Sequence, residues 1–185
     1  MKKKLSPGQI VEKFQVDGND VIFRVMNKND AKGCLRHINS LIREKAYIAW
    51  QKPFTLEQER EWVEDNMKKL KEGDRIAIVV EQGGRMIGNS SVWREPFHAK
   101  RHIAHIAIGL NTGRGMGIGF RLMGALERVA VEQLGCTMLQ LTVYEPNKPA
   151  RRLYEKCGFV EFGRLKNGCY HFGNYYDEIF MVKYL

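Results

Sequence analysis

Apolar residues recur along this chain in two rhythms, and the changes between them mark out its elements. "DVIFRVM", residues 20 to 26, has the two-residue alternation of a strand, whereas "DAKGCLRHINSLIREKAYIA" spaces Leu35, Ile38, Leu41 and Ile42 along one face of a helix. A second helix is predicted over "TLEQEREWVEDNMKKLKEG": Thr55 and Gln58 make a T-x-x-Q capping pattern, acidic residues come early, lysines come late, and Gly73 stops it. In "RIAIVVEQGGRMIGNSSVW" two apolar runs meet through Gln82-Gly83-Gly84-Arg85, a hairpin in which Gly83 or Gly84 supplies a positive φ. Another strand-like run covers 102 to 110. Ile118, Leu122, Met123, Leu126, Val129, Ala130 and Leu134 then mark a helical face ending at Gly135, and "TMLQLTVYE" returns to a strand. "NKPARRLYEKCG" is a short helix with Asn147 or Lys148 as cap, Pro149 in its first turn and Gly158 past its end. The closing "FVEFGRLKNGCYHFGNYYDEIFMVKYL" predicts two strands around a loop rich in Gly and Asn.

The resulting order, β-α-α-β-β-β-α-β-α-β-β, is that of a mixed α/β (α+β) domain. A length of 185 residues with 44% hydrophobic content suits a single core. The domain is expected over 18–185, with residues 1–17 a polar segment free to be flexible. No apolar run reaches the roughly 20 residues of a membrane span, and "MKKKLSPGQI" lacks the apolar stretch of a secretory signal, so a cytosolic protein with no membrane partner is expected. Cys34, Cys136, Cys157 and Cys169 form no CxxC pair, which predicts reduced thiols and no metal site.

A net charge of +9 would attract phosphate-rich ligands, acidic proteins or nucleic acid. The basic residues are scattered and no nucleic-acid module accompanies them, so nucleic acid is not the expected partner.

Glycines at 113, 115, 117 and 119 sit where the run "HIAHIAIGL" meets the following helix. A Rossmann G-x-G-x-x-G fails, because its last position falls on Ile118 or Phe120, and a P-loop fails for want of G-K-[ST]. "RGMGIG" remains. Its backbone amides would converge at a helix N-terminus, where unpaired N–H groups favour a phosphate. A tight turn relieved by glycine is the alternative; it needs one glycine, not four.

"NTGRGMGIGFRLMGAL" resembles motif A, R/Q-x-x-G-x-G/A, of the GNAT superfamily of acetyl-CoA-dependent N-acetyltransferases. "NKPARRLYEKCGF" resembles the same family's motif B through Asn147, Ala150, Leu153, Tyr154, Gly158 and Phe159. The resemblance spans about residues 20 to 183, and the end of the chain is similar to ribosomal-protein and other protein N-acetyltransferases. The link "LNTGRGMG" departs from the family in being about a residue short and in lacking a common proline and aromatic.

This resemblance implies a mostly antiparallel sheet of six or seven strands with a central V-shaped splay, flanked by four helices. It implies acetyl-CoA as co-substrate, no metal, and a protein, peptide or small-molecule amine as acceptor. The cofactor diphosphate would rest on Arg114, Gly115, Met116, Gly117, Ile118 and Gly119, and its pantetheine arm would lie along Ile108, Gly109 and Leu110. Asn147 and Ala150 would border that arm, with helix capping the competing role for Asn147, and Lys156, Arg151 and Arg152 could reach phosphates. Tyr154 matches the tyrosine that hydrogen-bonds the departing sulfur, although it also fits an apolar stripe with Ala150, Leu153 and Cys157. Full proton transfer from a phenol near 10 to a thiolate of about 8.5 runs uphill by about 2 kcal/mol, so hydrogen-bond donation is the lighter demand.

The acceptor amine must be neutral to attack, which at pH 7 costs about 4.6 kcal/mol for a lysine and about 1.1 for an α-amine. Where some relatives place a glutamate on the strand before motif B, this chain has Thr142, with Glu145 further along. His102 and His105 alternate to opposite faces of the strand before motif A, and His105 lies nearer the splay. His105 and Glu145 are therefore the candidate bases, each with a structural role as its alternative. Direct attack in a ternary complex is expected, with the acceptor entering between "YIAWQKPF" and "KNGCYHFGNYYD" past Tyr47, Trp50, Phe54, Tyr170, Tyr175 and Tyr176. A small-molecule amine acetyltransferase, a non-catalytic CoA-binding module and a nucleic-acid-associated protein are the competing readings. A homodimer is left open.

Overall fold

The computed structural model describes residues 4–185. β1 (Ile10–Val16) and β2 (Asn19–Val25) form a hairpin through Asp17 and Gly18, both left-handed at φ 48° and 74°. Two such residues make the turn whose twist matches paired strands. Part of the segment expected to stand outside the domain is thus a sheet strand. Phe14 packs edge-on against Phe23, and Glu12 receives Arg121 and Arg128 from the third helix, which holds β1 in place.

α1 (Ala31–Arg43) ends earlier than its apolar spacing predicts, and "AYIA" belongs to the loop that follows. α2 (Leu56–Glu72) has the full capping box: Thr55 accepts the Gln58 amide, Gln58 returns the bond to the Thr55 N–H, and Gly73 closes the helix at φ 77°. β3 (Arg75–Gln82) and β4 (Arg85–Arg94) turn through Gly83 and Gly84, both of which take positive φ. β5 (Ile103–Leu110), α3 (Ile118–Val129), β6 (Met138–Tyr144), α4 (Lys148–Lys156), β7 (Val160–His171) and β8 (Asn174–Tyr184) complete the chain. The last hairpin differs from the expected long loop. β7 runs on to His171 over bulges, and the turn is only Phe172 and Gly173.

All eight strands form one sheet in the order β1-β2-β3-β4-β5-β6-β8-β7, antiparallel except between β5 and β6. The eighth strand beyond the expected six or seven is β1. Alternation along β5 sends Ala104 and Ile106 into the large core under α3 and α4, where Ile118, Leu122, Leu126, Leu139, Leu141 and Tyr154 also pack. The opposite face is covered by α1 and α2 over Met26, Cys34, Val63, Ala77 and Val79. No helix among the described residues is long and apolar enough to cross a membrane.

Candidate active site

β5 and β6 pair at only three positions, Ile103 with Met138, Ala104 with Leu139 and His105 with Gln140. Beyond His105 the strands part, as the resemblance implies. Gly109 turns its carbonyl toward β4, since a Cβ on Gly88 would meet that oxygen at 2.5 Å. Successive residues of a strand alternate direction, so Ile108 and Leu110 present their polar backbone groups to the open side. Arg114 takes the Leu110 carbonyl; the Ile108 groups and the Leu110 N–H need a partner that β6 does not supply.

At the open end of the gap lies the glycine turn. Gly113, Gly115 and Gly117 are all left-handed, at φ 72°, 83° and 78°. Left-handed residues alternating with ordinary ones turn successive N–H groups into a shared concavity suited to an anion. Gly117 is the N-cap of α3 and, like any glycine, has no side chain with which to cap it. The first amides of that helix, Ile118 and Gly119, remain to meet a ligand, with the positive end of the helix behind them. Gly119 has a second reason to be glycine: a Cβ would stand 3.2 Å from Leu153 Cδ2, so it sets how closely α3 approaches α4. Ile118 donates only its main chain to the turn, its side chain being wholly buried, and Met116 is exposed.

The Arg114 side chain is engaged elsewhere. Its Nε donates to the Leu110 carbonyl at 2.9 Å and its Nη2 to Glu44 Oε2 at 3.0 Å. It thereby clips the end of β5 to the end of α1, so its side chain is not spent on the glycine turn. Lys156 sits with its ammonium 5.1 Å from the Phe120 ring, beside the first turn of α3.

The motif B residues take the structural roles weighed for them. Asn147 caps α4, accepting the Ala150 amide at 3.4 Å, and Ala150 packs against the large core. Tyr154 is 8% exposed and packs against Phe159, 6.2 Å between centroids. Burial pushes its phenol up to about 12, with Cys157 adding to the shift.

His105 and Glu145 do not converge. His105 faces the α1 side, stacks on Trp93 at 5.6 Å and meets Glu95 Oε1 through Nε2 at 2.6 Å. Glu145 lies five residues along β6 from His105's partner Gln140, about 16 Å away at strand rise, and its N–H is held by the Asp177 carbonyl. Tyr154 is on the α3 side of the sheet and His105 on the other.

The two segments expected to flank the acceptor do meet. Gln51 donates to the Tyr170 carbonyl at 2.8 Å and accepts from the Phe172 N–H at 3.0 Å, while His171 Nε2 lies 2.9 Å from the Ala46 carbonyl oxygen. Tyr47, Tyr144, His171 and Tyr176 pack into one aromatic cluster at this joint. An open groove of about 640 Å³ runs beside it, lined by Ala49, Trp50, Gln51, Lys52, Pro53, Phe54 and Gln58.

The family model described as the acetyltransferase (GNAT) family matches residues 37–159. The chain belongs to that family. It is an acetyl-CoA-dependent N-acetyltransferase. Among its GNAT relatives is the provisionally named phosphinothricin acetyltransferase YwnH of Bacillus subtilis (strain 168), 28% identical over 146 residues, 76% of this chain and 84% of that one. The crystal structure of ribosomal-protein-alanine N-acetyltransferase from Brucella melitensis is 25% identical with TM-score 0.75, covering 88% of this chain and 99% of that one. The structure of yncA from Salmonella typhimurium with its cofactor acetyl-CoA shares the GNAT fold at TM-score 0.78 and 20% identity, covering 89% and 94%.

Two site features of this GNAT enzyme escaped the sequence reading. One is the Arg114–Glu44 clip; the other is His37 on α1, buried beside Gly109, which the helical pattern passes over as one polar residue among others. For the cradle, Gly117→Val is expected to lower stability by about 1–2 kcal/mol, because a side chain at a left-handed φ is strained. It should also weaken CoA at least tenfold by calorimetry. A variant that binds CoA as the parent does would place the diphosphate elsewhere.

Proposed function

We propose that this enzyme acetylates the primary amine of a protein or peptide chain by direct attack within a ternary complex. The observation behind this reading is the open groove lined by exposed Trp50 and by Phe54 and joined through Gln51 to Tyr170 and the β7–β8 turn. A site for a small amine ordinarily encloses most of its ligand, whereas a shallow groove with aromatic walls suits an extended chain. The similarity to a ribosomal-protein-alanine N-acetyltransferase points the same way.

In this reading the free amides between Arg114 and Gly119, that of Met116 being bonded to the Gly113 carbonyl, hold the diphosphate of the donor, and the open backbone of Ile108 with the Leu110 N–H pairs with its arm. Acetyl-CoA supplies an activated acyl group on a thiol that leaves. Tyr154 donates a hydrogen bond to the sulfur as charge gathers there. His105, fixed in orientation by Glu95 at the apex of the splay, takes the proton of the amine through a water and is better placed for it than Glu145. A lower-pKa α-amine lightens that demand by about 3.5 kcal/mol relative to lysine.

The second reading, a small-molecule amine acetyltransferase, is favoured by the likeness to YwnH. A single comparison separates the two: mass spectrometry of lysate proteins incubated with enzyme and labelled acetyl-CoA, against turnover of a panel of free amines under the same conditions. Labelled N-termini or lysines with a kcat/KM at least tenfold above any free amine are expected. Faster acetylation of a free amino-acid-like amine, with no labelled protein, would reverse the assignment.

A further inference from the structure

Pairing register fixes which residues share each face of the sheet. Across β6 and β8, Leu139, Leu141 and Val143 stand beside Lys183, Met181 and Ile179, toward the large core under α3 and α4. Alternation therefore sends Met138, Gln140 and Thr142, with their partners Tyr184, Val182 and Phe180, to the opposite face, the one that carries His105. β7 extends that face. Val160 pairs with Val182, Leu165 pairs with Glu178, and the Phe162 ring, at a bulge, meets the Phe180 ring at 6.2 Å.

α1 and α2 lie over β3 and β4. Beyond them this face is open: Val160 is 59% exposed, Phe162 55%, Leu165 53% and Tyr184 71%. An antiparallel sheet can leave one face to water, but that face then carries polar side chains. Here the open face is the apolar one. Glu161 and Arg164, bonded to each other, pair with Met181 and Ile179 and so share the other side of the same strands. Of the residues named on the open part of β6, β8 and β7, only Glu178 is charged, and it lies at the rim beside Leu165.

We propose that a second copy of this chain covers the open face, packing β6, β8 and β7 of one protomer on those of its partner about a two-fold axis. Charge selects this occupant. A net charge of +9 draws acidic proteins and nucleic acid, yet this face offers them no cation. Two copies repel one another over most of their surface and can approach where that surface is neutral. A patch without charge is its own complement, which is what a two-fold interface requires. Area agrees. The four exposed side chains present on the order of 400 Å² of mostly apolar surface, a size at which such patches are often binding sites. Met138, Gln140 and Thr142 beside them bring the face toward the roughly 800 Å² that each partner buries in a standard interface, and homodimer interfaces are the more apolar ones. Val160, Val182 and Gln140 also lie in one lateral row with His105. On the reading that the acceptor amine meets His105, the partner stands beside its approach.

Sedimentation of the full chain tests this. The parent is expected to be a dimer at micromolar concentration. Phe162→Glu and Val160→Lys each bring two charges into an apolar contact, one from either protomer, and should raise the Kd of the dimer at least about a hundredfold. Val160→Lys serves should Phe162→Glu fail to fold, and an unchanged Kd for CoA shows that a variant is intact. Glu161→Lys, next along the strand but on the other face, should remain dimeric. A parent that stays monomeric throughout the micromolar range, or a dimer that both variants leave whole, would overturn the proposal. So would a monomeric parent whose variants lose only affinity for a protein acceptor, since the face would then belong to that acceptor. Sedimentation is blind to acetyl transfer, so failure of the acceptor reading is distinguishable from failure of the dimer.

Discussion

Tyr154→Phe is expected to lower kcat about 10- to 100-fold while leaving the Kd for CoA close to that of the parent. A hydrogen bond to a charged group contributes about 1.5–3 kcal/mol, which sets that range. The phenol of Tyr154 is pushed up to about 12 by burial, so against a thiol near 8.5 full transfer of its proton would run uphill by about 5 kcal/mol. Donation without transfer is the role this environment allows. The same burial keeps the residue protonated throughout the neutral range, so an alkaline fall in activity below pH 10 has to come from another group. Single-turnover acetyl transfer measured with the variant decides the matter. A rate equal to the parent's would confine Tyr154 to packing against Phe159.

Removing the positive charge of Arg24 has the largest effect expected on the fold. Its guanidinium makes two bonds to Asp30, at 2.8 and 2.7 Å, and two to Glu81, at 3.1 and 2.6 Å, with the side chains of Arg24 and Asp30 only 14% and 8% exposed. Asp30 also accepts the Asn27 N–H at the start of α1. Arg24→Leu leaves two carboxylates facing each other in a dry place, and breaking such a group from one side costs about 3–5 kcal/mol. Urea unfolding should show that loss, and Arg24→Leu combined with Asp30→Leu and Glu81→Leu should recover most of it. A loss under 1 kcal/mol for the single variant would mean that water reaches the triad. The same network seats α1 against β2, and α1 carries His37 over the end of β5.

The parts of this architecture that were legible in the sequence are those with a local physical cause. Thr55 and Gln58 announce the start of α2 because capping is a four-residue affair, and Gly83-Gly84 announces its turn because few other residues take both angles. The glycines around 117 were readable for the same reason. β1 was missed because an edge strand is half exposed, and "IVEKFQV" has no apolar run to separate it from a polar tail. β7 was cut short because Asn167 and Gly168 signal a turn, whereas here they make a bulge within a strand exposed along most of its length. Partnerships across space left no trace in spacing. Nothing between residues 44 and 114 says that Glu44 holds Arg114, and nothing near residue 37 says that the absence of a side chain at 109 makes room for an imidazole. The separation of His105 from Glu145 is likewise a matter of where two strands part.

Three rungs between β5 and β6 have a mechanical consequence. They are the seam of the sheet, with five strands on one side and three on the other. In the proposed reading the donor's arm supplies rungs that the chain itself omits, so the enzyme's rigidity would be completed by its own substrate. Scarcity of the donor would slow turnover and at the same time loosen the framework across that seam.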